Sequence, residues 1–247
     1  YQLDLHERYH NGCAHTVRPS VLPDHLYPDL WLTSIALEEL SSMPNDRPWL
    51  LWINYPGPHE PFDVPLNWRG YHGDIPPPEP RPDDPIELDN LAPTGSELAH
   101  KLARWPQGLP VEAVKLLRSD YADHLHLLDA QVGILLQNLA MRTDSGHTAI
   151  SVCSDHGELL GDWGLLLKGC FLEGAIRSLF IHHPPRSRMF PRRLWQPIHR
   201  PYGLTQCLWN AASAVSCPYE KSFGALLREK KEPVYVEFGR ERVKIEK

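Results

Sequence analysis

Cys153-Ser154-Asp155-His156-Gly157-Glu158, with Gly161-Asp162 and Lys168-Gly169 close behind, is the densest run of chemically able side chains in the sequence. A carboxylate beside an imidazole can offer one divalent cation a hard oxygen and a nitrogen. The same spacing also fits a helix start, with Asp155 as N-cap and Glu158 completing a capping box. A second imidazole, His59, sits among prolines in Pro58-His59-Glu60-Pro61. Lys168 adds an ammonium. Taken alone, His59 is equally well an ordered loop residue, and Lys168 a solvated charge.

The elements that must position these groups follow from periodicity. Thr148 to Val152 is apolar and β-branched, and reads as a buried strand that delivers Asp155 and His156 at its carboxyl end. Trp49 to Tyr55 reads as another strand, stopped by the prolines around His59. Pro28 or Asp29 opens a helix to about Ser41, with Leu32, Ile35, Ala36 and Leu40 on one face. Residues 44–48 form a turn. Residues 75–110 are rich in proline and read as a long loop, either a lid or a linker.

After Pro110 the apolar positions Val111, Val114, Leu117, Tyr121, Leu125, Leu128, Val132, Leu135 and Leu139 recur every three or four residues. They predict a helix over 111–141, about 45 Å long. His124 and His126 lie beside that stripe and read as structural or exposed. Ala175 to Ile181 reads as a strand and 202–215 as a helix. Val234 to Phe238 and Val243 to Ile245 predict a terminal hairpin around Gly239. This order predicts an α/β fold with a mainly parallel central sheet flanked by helices. Residues 1–232 form the main body, and 233–247 a hairpin or tail.

The chain has 247 residues, 42% hydrophobic and 23% charged, with a formal net charge of -6. That is ordinary globular composition, and its acidity argues against a nucleic-acid surface. The five cysteines show no CxxC spacing and imply no disulfide framework. No apolar run approaches the roughly 20 residues that span a bilayer. His6, His10 and His15 follow no period, and a solvated loop is the simpler reading of them. The first residue is Tyr1 rather than Met, which leads us to expect a chain that starts inside a longer protein.

Together the motifs resemble the sulfatase family of the alkaline-phosphatase-like superfamily. Ser154-Asp155-His156-Gly157-Glu158-Leu159-Leu160-Gly161-Asp162-Trp163-Gly164-Leu165 is similar to that family's second metal-binding motif. Lys168-Gly169 and Glu173-Gly174-Ala175-Ile176-Arg177 are similar to the segment that follows it. Pro58-His59-Glu60-Pro61-Phe62 is similar to the family's Pro-His-x-Pro loop. Trp31-Leu32-Thr33 with Ile35-Ala36 fits the helix before that loop. Tyr121-Ala122 through Asp129, Val132-Gly133 and Leu136 fits the helix before the metal strand.

The resemblance implies a hydrolase of sulfate esters. Asp155 and His156 would be two ligands of one divalent cation (Ca²⁺, Mg²⁺ or Mn²⁺). His59 and Lys168 would contact the ester's anionic oxygens, and one of them would protonate the leaving group. The same residues would equally suit a phosphodiester or phosphonate monoester. The implied partner is a small-molecule ester.

The departures from the family pattern are as specific as the matches. The family's nucleophile is a formylglycine made from Cys or Ser in Cys/Ser-x-Pro-x-Arg. None of the five cysteines fits: Cys13 lacks the proline, and in Cys217-Pro218-Tyr219 it comes one place early. The paired carboxylates of the first metal motif and the Lys-x-His segment have no match. Trp163 stands where relatives often have His, and Leu179 where they often have Pro. The expectation is therefore the later part of a sulfatase-like catalytic domain, incomplete at its N-terminal side and inactive alone. From another class, a catalytically dead relative kept as an interaction module fits the same residues.

Overall fold

A computed structural model describes residues 19–183 apart from 74, 85–86, 89, 91, 93–95 and 105, together with 185 and the backbone of 234–238 and 241–245. The expected helix at 202–215 and the His6, His10 and His15 tract lie outside the described residues, as do Cys13, Cys207 and Cys217. Regular structure comprises helices α1 (Pro28–Ser42), α2 (Glu97–Arg104), α3 (Val111–Ala140) and α4 (Glu173–Ile176). The strands are β1 (Ile150–Cys153), β2 (Phe180–His183), β3 (Val234–Phe238) and β4 (Glu241–Ile245). The chain divides into two compact units with interleaved segments. The first comprises Tyr1–Leu88, Lys101–Ser145 and Leu160–Leu166, and the second Asp89–His100, Gly146–Leu159 and Leu167–Lys247.

In the first unit α1 packs on α3. Pro28 opens α1, where its fixed φ suits a helix and its missing N–H costs nothing. Met43 closes it in extended backbone because Pro44 follows. Arg142, just past α3, then donates to the carbonyls of Leu40, Met43 and Pro44 at 2.8, 3.2 and 3.2 Å. A cation thus satisfies the carbonyls that every helix end leaves open. Tyr27, Val64 and Leu127 form a buried apolar cluster, with Leu30 and Trp68 against it.

The buried face of α3 is not the expected apolar stripe. Val114, Leu117, Leu127, Leu135 and Leu139 are buried, but so are Asp120, Asp123, His124 and Gln131. Val111 and Leu125 are exposed. The buried carboxylates are there because they bind a loop. Asp120 accepts two hydrogen bonds from Arg69, at 3.1 and 2.8 Å. Asp123 accepts the backbone N–H groups of Gly70, Tyr71 and His72 at 2.7, 3.0 and 3.0 Å. Hydrogen bonds to a charged acceptor can offset the cost of burying it.

Two further expectations are corrected. Trp49–Tyr55 alternates between half-buried and exposed residues, but it belongs to no ladder. Alternation sets which way side chains point; a strand also needs a hydrogen-bonded neighbour. Residues 75–110 are neither a plain loop nor a linker. They contain α2, whose first turn is capped where Ala99 N–H donates to Ser96 Oγ at 3.1 Å. Trp163 N–H donates to the Glu79 carbonyl at 2.7 Å, and Arg81 Nε and Nη2 donate back to the Trp163 carbonyl at 3.2 and 3.0 Å.

In the second unit no described strands pair parallel. β1 and β2 pair antiparallel, from Ile150 opposite His183 to Cys153 opposite Phe180. The residues between them contain a 3-10 turn at Asp162–Gly164 and the one-turn α4, and the chain doubles back beside β1 without a long crossover helix. The expected strand at 175–181 starts only at Phe180, because Glu173–Ile176 coils into α4. Gly and Ala there carry little strand preference. β1 is half-buried to exposed rather than buried. β3 and β4 also pair antiparallel, Val234 with Ile245 and Phe238 with Glu241.

Candidate functional site

Asp155 and His156 leave the carboxyl end of β1, in the second unit. No helix begins here, so the N-cap reading of Asp155 fails. Instead Asp155 Oδ1 accepts the His156 backbone N–H at 2.8 Å, and its side chain is 86% exposed. His156 Nδ1 lies 2.8 Å from the Gly157 carbonyl. A carbonyl only accepts, so Nδ1 carries a proton, and in the neutral ring the lone pair is on Nε2. That nitrogen stands 3.5 Å from Asp155 Oδ2. A metal-binding histidine is commonly oriented in this way, by a hydrogen bond on its other nitrogen.

The backbone behind this pair is tightly fixed. Gly157 N–H donates to the Ala175 carbonyl at 2.8 Å. A methyl group at Gly157 would overlap the Gly174 carbonyl oxygen and lie 2.7 Å from that of Arg177. The ladder continues past Cys153. Ser154 N–H donates to the Leu179 carbonyl at 3.0 Å, and Leu179 N–H donates to Ser154 Oγ at 2.8 Å. Lys168 belongs to this unit too. Its Nζ lies 3.7 Å from Oε2 of Glu158, a nearly buried carboxylate that also accepts the Leu159 N–H at 3.2 Å. Lys168 is therefore a positioned cation rather than a freely solvated one.

His59 belongs to the first unit, on the loop between Pro56 and Asp63. Its side chain is 51% exposed. Nδ1 faces two acceptors, the Glu60 carbonyl at 2.8 Å and Glu60 Oε2 at 3.2 Å. Nδ1 therefore carries the proton, leaving Nε2 to meet a ligand. The loop is fastened from behind. Asp29 Oδ1 accepts the Gly57 N–H at 3.0 Å, and Asp29 Oδ2 lies 2.8 Å from His124 Nε2. Tyr27 Oη lies 3.1 Å from the same nitrogen and donates to the Asp63 carbonyl at 2.7 Å.

Asp155 and His156 suit a divalent cation as a pair: one hard oxygen and one nitrogen whose tautomer is already set. They do not complete a site. Among the described residues no three His, Cys, Asp or Glu side chains form a group that could hold a metal. Hard divalent ions usually take six or more ligands. Cys153 is exposed and Cys170 buried. Sequence reading missed Glu158 as the partner of Lys168, and Tyr27, Asp29 and His124 as supports of the His59 loop. A signal was present: charged and imidazole groups standing on the face of α3 that should be apolar.

A family model described as Sulfatase matches residues 9–202. Two curated proteins are similar. A choline-sulfatase of Rhizobium meliloti is 29% identical over 60% of this chain and 29% of its own length. An arylsulfatase of Clostridium perfringens is 25% identical over 68% of this chain and 34% of its own length. The chain thus spans about a third of these relatives. Among solved structures, a phosphonate monoester hydrolase of Silicibacter pomeroyi superposes with a TM-score of 0.56 at 19% identity, over 75% of this chain and 41% of that one. A phosphonate monoester hydrolase of Agrobacterium radiobacter gives 0.58 at 22%, over 68% and 35%. These likenesses establish a shared fold.

Proposed function

This chain belongs to the sulfatase family, and on that premise we propose that it supplies part of the active site of a metal-dependent sulfate-ester hydrolase. Asp155 and His156 would hold one divalent cation, Ca²⁺, Mg²⁺ or Mn²⁺. The observation that carries this reading is the placement of the His156 ring, with Nδ1 2.8 Å from the Gly157 carbonyl and Nε2 3.5 Å from Asp155 Oδ2. When bound, the cation would offset negative charge on the ester oxygens. Lys168, steadied by Glu158, binds a second anionic oxygen. His59, with Nδ1 committed to Glu60, presents Nε2 and in its protonated form donates to the ester or its leaving group. Aimed at charge that grows in the transition state, such groups lower the barrier more than they tighten ground-state binding.

A nucleophile is the missing part. None of the five cysteines lies in the Cys/Ser-x-Pro-x-Arg pattern from which the family makes formylglycine. Turnover therefore requires a nucleophile outside residues 1–247. A phosphonate or phosphate monoester is the second reading, supported by the fold likeness to two phosphonate monoester hydrolases. Both esters present a tetrahedral anion to the same cation and donors. An inactive relative that serves as an interaction module is the reading of another class.

The test uses the longest open reading frame that contains these residues. Hydrolysis of p-nitrophenyl sulfate and of p-nitrophenyl phenylphosphonate is compared before and after chelation. We expect turnover that chelation abolishes and that Lys168→Ala lowers roughly 100-fold or more. Preference for the phosphonate would favour the second reading. Turnover unchanged by both Asp155→Ala and chelation would defeat the metal role. No turnover on either ester, with metal bound, would favour the inactive relative.

A further inference from the structure

We propose that Tyr27, Asp29 and His124 form a buried positioning device for His59, acting by gripping its loop on both sides. This deepens the proposed function and rests on the role given there to His59. Before His59, the Gly57 N–H is held by Asp29 Oδ1 at 3.0 Å. After it, the Asp63 carbonyl is held by the Tyr27 hydroxyl at 2.7 Å. The two grips are joined through one atom, His124 Nε2, at 2.8 Å from Asp29 Oδ2 and 3.1 Å from Tyr27 Oη. Tyr27, Asp29 and His124 are 2%, 1% and 3% exposed, so water does not compete for these bonds.

The directions of the bonds are mutually consistent. The Tyr27 proton goes to the Asp63 carbonyl, so Tyr27 Oη is left to accept. His124 Nε2–H then donates to the Asp29 carboxylate, with Tyr27 Oη as a second, longer acceptor. Asp29 spends one oxygen on His124 and the other on Gly57. A third tie secures the helix side: Thr33 Oγ1 donates to the Asp29 carbonyl at 2.9 Å and lies 2.9 Å from Tyr55 Oη, just before the loop. The fit is close. A methyl group at Gly57 would overlap His124 Nε2 and lie 2.7 Å from Asp29 Oδ2. His59 itself stays half exposed on the loop crown.

Such an arrangement does more than stabilise a fold. A loop fixed at both feet presents its crown side chain in one orientation, and a misplacement of about 1 Å can cost a catalytic group on the order of 100-fold. His124 Nδ1 is buried with no hydrogen-bond partner among the described residues. A buried unpaired polar atom costs free energy. The ring is therefore an expensive way to fill that space, as expected if the Asp29 and Tyr27 contacts are what it is there to make.

The experiment is NMR on the full chain with 13C-labelled histidine, following the His59 ring resonance alone and during titration with sodium sulfate. The variants are Asp29→Ala, His124→Ala, Tyr27→Phe and, as a control, the core substitution Leu139→Ala in α3. We expect one sharp His59 resonance in the parent. It should split or broaden in the three network variants, and sulfate should bind at least about tenfold more weakly in them. Leu139→Ala should lower Tm yet leave the His59 line unchanged.

Tyr27→Phe removes only the hydroxyl, so it decides the matter if either alanine variant fails to fold. An unchanged His59 resonance in the network variants would overturn the proposal, as would equal broadening in Leu139→Ala. If sulfate does not move the parent resonance, the ester-binding role of His59 fails, while the resonance still judges the positioning.

Discussion

Gly157 shows how much a single residue decides here. It stands between His156, one of the two candidate metal ligands, and Glu158, which pairs with Lys168. Its backbone is pressed against the carbonyls of Gly174 and Arg177. Gly157→Ala should therefore cost about 1–3 kcal/mol in urea unfolding, as forced overpacking does. It should also weaken divalent-ion binding by calorimetry, because the strand-to-loop turn must move. Stability and metal affinity both equal to the parent would show that the close approach is not real. At this scale the sequence was legible for chemical type. Asp155, His156, Lys168 and His59 could be picked out by neighbours and spacing. What could not be read was pairing: nothing in a linear sequence ties Lys168 to Glu158 across nine intervening residues, or Asp29 to His124.

Helices were legible as elements because their period is local, and α1 and α3 lie within a residue or two of expectation. The terminal hairpin was legible too, with β3 and β4 falling where it was expected, but the partner of β1 was not, since it lies distant in sequence. The antiparallel return of β2 onto β1 depends on how residues 154–179 fold, and no period encodes that. The junction of α1 and α3 yields a prediction. Asp144 accepts from Arg142 Nε at 2.9 Å and from Trp49 Nε1 at 2.8 Å. Hydrogen bonds from Arg142 first, then Trp49, hold its pKa down to about 2, against about 3.9 in an unfolded chain. A depressed carboxylate pKa stabilises the fold above the unfolded value, and that stability is lost as pH falls through the folded one. Asp144→Asn should therefore destabilise at neutral pH, and its deficit should shrink between about pH 4 and 2. Chemical denaturation across that range checks it; a deficit independent of pH would rule out the charge as the cause.

For the whole molecule, composition indicated a globular chain, and the ordered motifs carried the family. The division into two units was not legible, because no change in composition marks it. The segment Trp49–Tyr55 turns Leu50 and Trp52 outward, 67% and 61% exposed. Unladdered backbone with apolar side chains outward is a surface to which other molecules adhere. Residues 1–247 alone should bind a hydrophobic dye, and Trp52→Thr should lower that fluorescence with little change in Tm. Fluorescence unaltered by the substitution would place the dye elsewhere. The interleaving of the two units has a consequence for descent. The chain passes between them at residues 88–89, 100–101, 145–146, 159–160 and 166–167. No one breakpoint in the gene can therefore release either unit whole. Recombination cannot trade them as separate cassettes, so the half that carries His59 and the half that carries Asp155, His156 and Lys168 must be inherited, or lost, together.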